Sequence, residues 1–226
     1  MAKGLLIALE GLDGAGTTTQ AGRLRDWLAG RGEKVHLTAE PSQGPMGGLL
    51  RLFLQGRLAV PEGGPEGAPI GAATLALLFA ADRLDHLTHE ILPRMESGWI
   101  VVTDRYLLSS LAYQSVDCDL DFVMSLNSLA RKPDLTLLLD VPPETCRRRI
   151  EAARAHLELF EGKEQQRKVG ENYRALAKGP LGASANTLVV DGDREPDAVH
   201  AEIVKIVGSL LRTGKVPNRN RAVGTT

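Results

Sequence analysis

Residues 5–20, LLIALEGLDGAGTTTQ, constrain the fold of this chain more than any other stretch. Leu5 to Leu9 is an apolar run of the length of a buried strand. Glycines follow at 11, 14 and 16, and Thr17, Thr18 and Thr19 lead into a helical pattern that opens at Gln20. A strand running through a glycine loop into a helix start aims successive backbone N–H groups at one point, an arrangement suited to phosphate. The spacing Gly11-x4-Gly16 is that of a Walker A loop, where lysine and then serine or threonine should come next. Position 18 keeps the hydroxyl that would face Mg2+. Position 17 is threonine, so the lysine that would reach the terminal phosphates is missing.

The remainder repeats the alternation that this unit begins. Ala21, Leu24 and Leu28 give the first helix one buried stripe, and Gly30 and Gly32 end it. Residues 35–38, 99–103 (WIVVT), 135–141 (LTLLLDV) and 188–190 read as further strands. The longer ones are apolar without alternation, as strands covered on both faces are. Residues 72–96 predict a long helix with Leu77, Ala80, Leu84, Leu87 and Ile91 inward, kinked or ended at Pro93. Val199, Ile203, Ile206, Val207 and Leu210 form the stripe of a closing helix. Strands separated by helices predict an α/β fold, a doubly wound parallel β-sheet with helices on both faces. Ligands of such sheets bind beyond the carboxyl ends of the strands, and the clusters at 11–18, 40–41 and 104–105 each follow a strand.

At 226 residues, 43% of them hydrophobic, the chain can bury one full core. Residues 1–212 read as a single domain, residues 60–71 as a Gly/Pro-rich surface loop, and residues 213–226 as a frayed polar tail carrying Lys215, Arg219 and Arg221. A net charge of −1 gives no electrostatic case for a nucleic-acid polymer or a membrane surface. Cys118 and Cys146 have no paired spacing, which argues against a disulfide framework or a zinc site. The first strand starts too early to leave room for a signal peptide, and no apolar run approaches the roughly 20 residues that cross a bilayer. A cytoplasmic location is the expectation.

Beside a phosphate loop, Asp104-Arg105 pairs a carboxylate able to hold Mg2+ through water with a guanidinium able to grip a second phosphate. Phe79 and Arg83, one turn apart, suit a flat heterocycle: the ring stacks and the guanidinium donates to an exocyclic oxygen.

Together these residues resemble the thymidylate kinase family of P-loop nucleoside monophosphate kinases. The resemblance lies in residues 10–16 with Thr18-Thr19-Gln20, in Thr38-x-Glu40-Pro41, in residues 78–83 (LFAADR), and in Asp104-Arg105-Tyr106 with Ser109-Ser110 and Ala112-Tyr113-Gln114. Asp191-Gly192 resembles the family's adenine-side loop, and the likeness spans about residues 4–211. It implies transfer of the ATP γ-phosphate to dTMP, with Mg2+, in a homodimer. Gly11, Asp13, Gly14, Ala15, Gly16, Thr17, Thr18 and Thr19 would hold the ATP phosphates. Asp13, Glu40, Phe79, Arg83, Arg105, Ser110, Tyr113 and Gln114 would hold dTMP, Phe79 stacking on thymine, Arg83 bonding O4 and Tyr113 crowding the sugar C2′. Thr18 and Asp104 would manage the metal. Asp13 and Arg105 would act in transfer, joined by Arg154 and Arg149 from a short lid at about 147–163.

Ala39 stands where the family usually has arginine, and Thr17 where it has lysine. Two other readings stay open: a kinase for another nucleoside monophosphate, against which Phe79, Arg83 and Tyr113 speak, and a non-catalytic or regulatory nucleotide-binding homologue, which Thr17 supports.

Overall fold

In a computed structural model, describing residues 4–58, 70–153 and 162–217, the apolar runs become the strands of one sheet. Strand β1 (Leu5–Gly11) is followed by α1 (Thr17–Ala29), β2 (Val35–Ala39), α2 (Pro45–Leu54), α3 (Ala72–His86) and α4 (Leu92–Glu96). Then come β3 (Ile100–Asp104), α5 (Leu107–Gln114), α6 (Leu120–Leu126), β4 (Leu135–Asp140), α7 (Pro143–Ala153), α8 (Lys163–Lys178), α9 (Pro180–Ser184), β5 (Thr187–Asp191) and α10 (Pro196–Thr213). The strands lie in the order β2-β3-β1-β4-β5, and every neighbouring pair is parallel. β1 is thus central, which explains why Leu6 to Leu9 are all fully buried. Its register, Leu9 opposite Asp104 and Gly11 opposite Leu139, brings the glycine loop level with the carboxyl ends of β3 and β4.

Both faces are covered. One cluster packs α1, α5, α8 and α10 against β1 and its neighbours through residues such as Leu24, Leu111, Tyr173 and Ile203. A second, with Leu87, Ile91, Met95 and Tyr106, closes over Leu6, Ala8 and Val101.

The helix expected over 72–96 forms, but its buried stripe is one residue out of phase over the first turns. Leu77 is 50% exposed and Leu84 only partly buried, whereas Ala76, Ala80, Arg83, Leu87 and Ile91 face inward. The cause is Arg83, a charged residue in a core position because its partners are inside. Pro93 does not end the run. A π-helical turn, Leu87–Ile91, precedes it and re-registers the backbone around its missing N–H, so the helix continues to Glu96.

Candidate active site

The glycine loop needs its glycines for measurable reasons. Gly14 has φ +83°, and a Cβ there would stand 2.5 Å from the Cys146 carbonyl oxygen of α7, which backs the loop. Gly16 caps α1 at φ +93° and supplies no side-chain cap, and the first turn of α1 carries no acid. The free N–H groups of that helix end therefore remain open to an anion. Thr17 is 5% exposed, and its methyl lies against Gly11. Two arginines touch the loop's carbonyls from either side. Arg105 donates through Nη1 to Gly11 and through Nη2 to Asp13 Oδ1 at 2.7 Å. Arg149, on α7, reaches the Ala15 carbonyl at 3.5 Å and the Gly192 carbonyl at 3.2 Å, tying the loop to the turn after β5.

Arg105 follows β3 with φ +71°, a conformation uncommon for a residue with a side chain, and it points the guanidinium back over the loop. The group stacks 5.4 Å from the Tyr113 ring centroid. The Tyr113 hydroxyl donates to Asp13 Oδ2 at 3.0 Å and accepts the Asp13 backbone N–H at 3.1 Å. Burial first, and then Arg105 and Asp13 as opposing influences, leave the Tyr113 pKa well above its ordinary 10, so the phenol stays a neutral donor.

Next to Arg105 opens a cleft of about 580 Å³, its open mouth included. Its walls include Asp13, Glu40, Phe79, Arg83, Arg105, Ser110, Tyr113 and Gln114, all eight residues expected to hold the acceptor nucleotide. Three buried polar atoms of this lining have no hydrogen-bond partner among the described residues: Arg83 Nε, Ser110 Oγ and Gln114 Oε1. Arg83 itself is fixed from behind. Its Nη2 donates to Glu40 Oε2 at 2.7 Å and to the Tyr106 carbonyl at 3.1 Å, and its Nη1 donates to Asn127 Oδ1. His86 Nδ1 lies 3.3 Å from the other Glu40 oxygen.

Thr18 Oγ1 donates to Asp104 Oδ2 at 2.5 Å, and Asp104 Oδ1 is buried without a partner among the described residues. A hydroxyl and a carboxylate with an unspent oxygen are the hard donors that Mg2+ takes, one or two from protein and the rest from phosphate and water. No cluster of three or more acidic, histidine or cysteine ligands occurs among the described residues.

A family model for thymidylate kinases matches residues 9–203. The chain belongs to the thymidylate kinase family. It is 41% identical over 209 residues to a probable thymidylate kinase of Thermococcus kodakarensis, covering 92% of this chain and 98% of the relative. A probable thymidylate kinase of Pyrococcus horikoshii is 39% identical over 206 residues (91% and 96%), and one of Pyrobaculum aerophilum is 37% identical over 207 (91% and 97%). As a thymidylate kinase homologue the chain is a nucleoside monophosphate kinase, a phosphotransferase of an ATP-using family.

Seen as a thymidylate kinase site, the expected residues divide by position. The loop residues Gly11 to Thr19 and the eight cleft residues come together; Arg149 joins them, while Arg154 and the centre of the expected lid lie outside the described residues. Two groups that the motifs did not single out are buried between loop and cleft. Glu10 is fully buried and accepts from the Leu108 N–H at 3.0 Å and from the Ser109 hydroxyl. Burial raises its pKa, against the pull of the Ser109 hydrogen bond and of Arg105. Tyr173, on α8, reaches the same group. Glu10 opens the matched stretch 10–16 but has no assigned role there; Tyr173 has no local signal.

Proposed function

We propose that this chain transfers the γ-phosphate of ATP to the 5′-phosphate of dTMP, giving ADP and dTDP. The observation that carries this reading is the set of unpartnered atoms in one cleft wall. The pyrimidine edge of thymine offers an acceptor at O4 and a donor at N3–H. Arg83 Nε–H and Gln114 Oε1 supply the complementary donor and acceptor, and Ser110 can serve the remaining edge or the sugar. Phe79 stacks on the ring, and Tyr113, fixed on Asp13, crowds the sugar C2′. Glu40 keeps Arg83 in place.

Asp13 orients the acceptor near the 3′-hydroxyl and Arg105 holds the acceptor phosphate. Loop N–H groups between Gly11 and Thr19 other than those of Asp13 and Ala15, which donate to the Tyr113 hydroxyl and the Leu12 carbonyl, cradle the ATP phosphates with the uncapped start of α1. Arg149 contributes positive charge from α7, and we assign Arg154 to the same task from the lid, residues 147–163. Thr18 and Asp104 would hold Mg2+, which would supply positive charge to offset that developing in transfer. Direct in-line attack by a dTMP phosphate oxygen on the γ-phosphorus forms one P–O bond as the bond to ADP breaks, with no covalent enzyme intermediate.

We further propose one domain over residues 1–212, and a homodimer. Leu52 of α2, Leu77 of α3, and Leu120 and Phe122 of α6 are exposed apolar side chains, and α3 packs on both α2 and α6, so one face is available for a second copy. Free Cys118 and Cys146 suit a reducing cytoplasm. Neither other reading opened by the sequence finds support in the cleft.

Purified protein with ATP and Mg2+ should convert dTMP to dTDP, using dCMP and ribothymidine monophosphate far less well. Absence of product at high enzyme concentration, with no thermal stabilisation by dTMP, would refute the reading.

A further inference from the structure

Tyr173 is on α8, away from both motif-bearing loops, yet its hydroxyl lies where the glycine loop and the acceptor cleft meet. The residue is 2% exposed. Its oxygen is 2.7 Å from Ser109 Oγ and 3.3 Å from Glu10 Oε2, and it accepts from Arg105 Nη1 at 3.1 Å. Its ring meets Tyr113 edge-on, with centroids 6.1 Å apart. Ser109 gives its own proton to Glu10. The phenol proton is thus directed to Ser109 Oγ or to Glu10, and the phenol lone pair receives Arg105. A directional chain results, running from a cation through two hydroxyls to a buried carboxylate, each bond polarising the next. Gly11 and Asp13 restrain the guanidinium from the loop side only. The hydroxyl of Tyr173 restrains it from α8.

We propose that Tyr173 is a positioning residue for the acceptor phosphate, its hydroxyl fixing the Arg105 guanidinium against the Ser109–Glu10 pair and so tying α8 to the phosphate end of the cleft. The inference rests on the assignment of Arg105 to the dTMP phosphate. It predicts a defect that a space-filling role would not cause, because phenylalanine keeps the ring, its volume and its contact with Tyr113.

The test compares Tyr173→Phe with Asn172→Ala, a change on the same helix whose lost hydrogen bonds run to the Ala112 carbonyl and Ser115 rather than into this chain. Calorimetric affinities for dTMP and thymidine separate phosphate binding from base binding. Tyr173→Phe should weaken dTMP roughly tenfold, the loss of one hydrogen bond to a charged group, and leave thymidine within about twofold. Asn172→Ala should keep the wild-type preference for dTMP over thymidine whatever it does to the melting temperature. In the ligand-free protein, the Arg105 Nη signals should be resolved by NMR in wild type and averaged in Tyr173→Phe. An undiminished dTMP preference, or unmoved Arg105 signals, would overturn the proposal. A wild type that binds dTMP and thymidine equally would overturn it through the Arg105 assignment instead; Arg105→Ala would then be silent too, which tells the two failures apart.

Discussion

Thr17→Lys returns to the loop the cation that a Walker A sequence carries, and the surroundings set how much it can gain. The side chain leaves the first residue of α1 beside Gly11 and is 5% exposed, so a lysine stem there would start against the loop rather than in solvent. One preorganised donor at a developing charge is worth on the order of 10²–10³ in rate. Here Arg105 on the Gly11 carbonyl and Arg149 on the Ala15 carbonyl already bring positive charge to both flanks. The gain in kcat should therefore fall at or below that range's lower end, about 10- to 100-fold, with the KM for dTMP changed by less than about threefold. The same substitution places a cation in the first turn of a helix whose free N–H groups have no acid beside them. That costs about 0.3–1 kcal/mol, or about 1–4 °C in melting temperature for a chain of this size, recovered when nucleotide phosphates arrive. Single-turnover transfer at saturating dTMP, with melting curves in the presence and absence of ATP and Mg2+, measures both effects. A variant that folds and binds ATP as wild type does, yet gains nothing in kcat, would show that the arginines already fill the lysine's role and that the argument from Thr17 is wrong.

Arg105→Ala should weaken dTMP on the order of 10- to 100-fold while sparing thymidine if the guanidinium meets the phosphate and not the base, as proposed; unchanged dTMP affinity in a binding titration would remove the assignment. Glu10 carries a testable pH signature. Its folded pKa lies above the ordinary 4.5 because burial disfavours the charged form, so its contribution to stability is complete below 4.5 and is lost as the pH rises through the folded value. Glu10→Gln should therefore flatten the dependence of urea midpoints on pH above 4.5, and an unchanged slope would contradict the reading of this carboxyl as a desolvated one.

The strands were legible because a buried parallel strand needs nothing but an apolar run, and β3, β4 and β5 lie within a residue or so of the expected spans. Phase within the helix over 72–96 was harder. A pattern of hydrophobic residues assumes that a charge faces out, and Arg83 breaks that assumption because Glu40, Asn127 and the Tyr106 carbonyl satisfy it inside. The eight cleft residues could be named from motifs, each of which is local. The chain from Arg105 to Glu10 could not: Tyr173 is 163 positions from Glu10 and 68 from Arg105, and no local pattern encodes a pairing of that separation. Helices α5, α6 and α8 are likewise held by what they cover, α5 and α8 packing on each other across the site.

The two arginines of the cleft illustrate how selectivity and transfer are divided. Arg83 is 1% exposed and braced by Glu40, which His86 holds in turn, so its Nε–H cannot swing away from a mismatched base. With the pyrimidine oriented as proposed, cytosine would set an amino group against that N–H and an unprotonated N3 against Gln114 Oε1. A donor would face a donor and an acceptor would face an acceptor, both in a buried wall. Sites that oblige buried polar groups to go unpaired reject the wrong ligand far more strongly than shape alone does. Arg105 sits differently. Its partners are a loop carbonyl, Asp13 and two phenols, so phosphate can be added to its surroundings without leaving a buried carboxylate bare. On the proposed assignment the rigid arginine serves recognition of the base and the shared one the phosphate, so threonine in place of lysine at position 17, on the donor side, should leave acceptor selectivity intact.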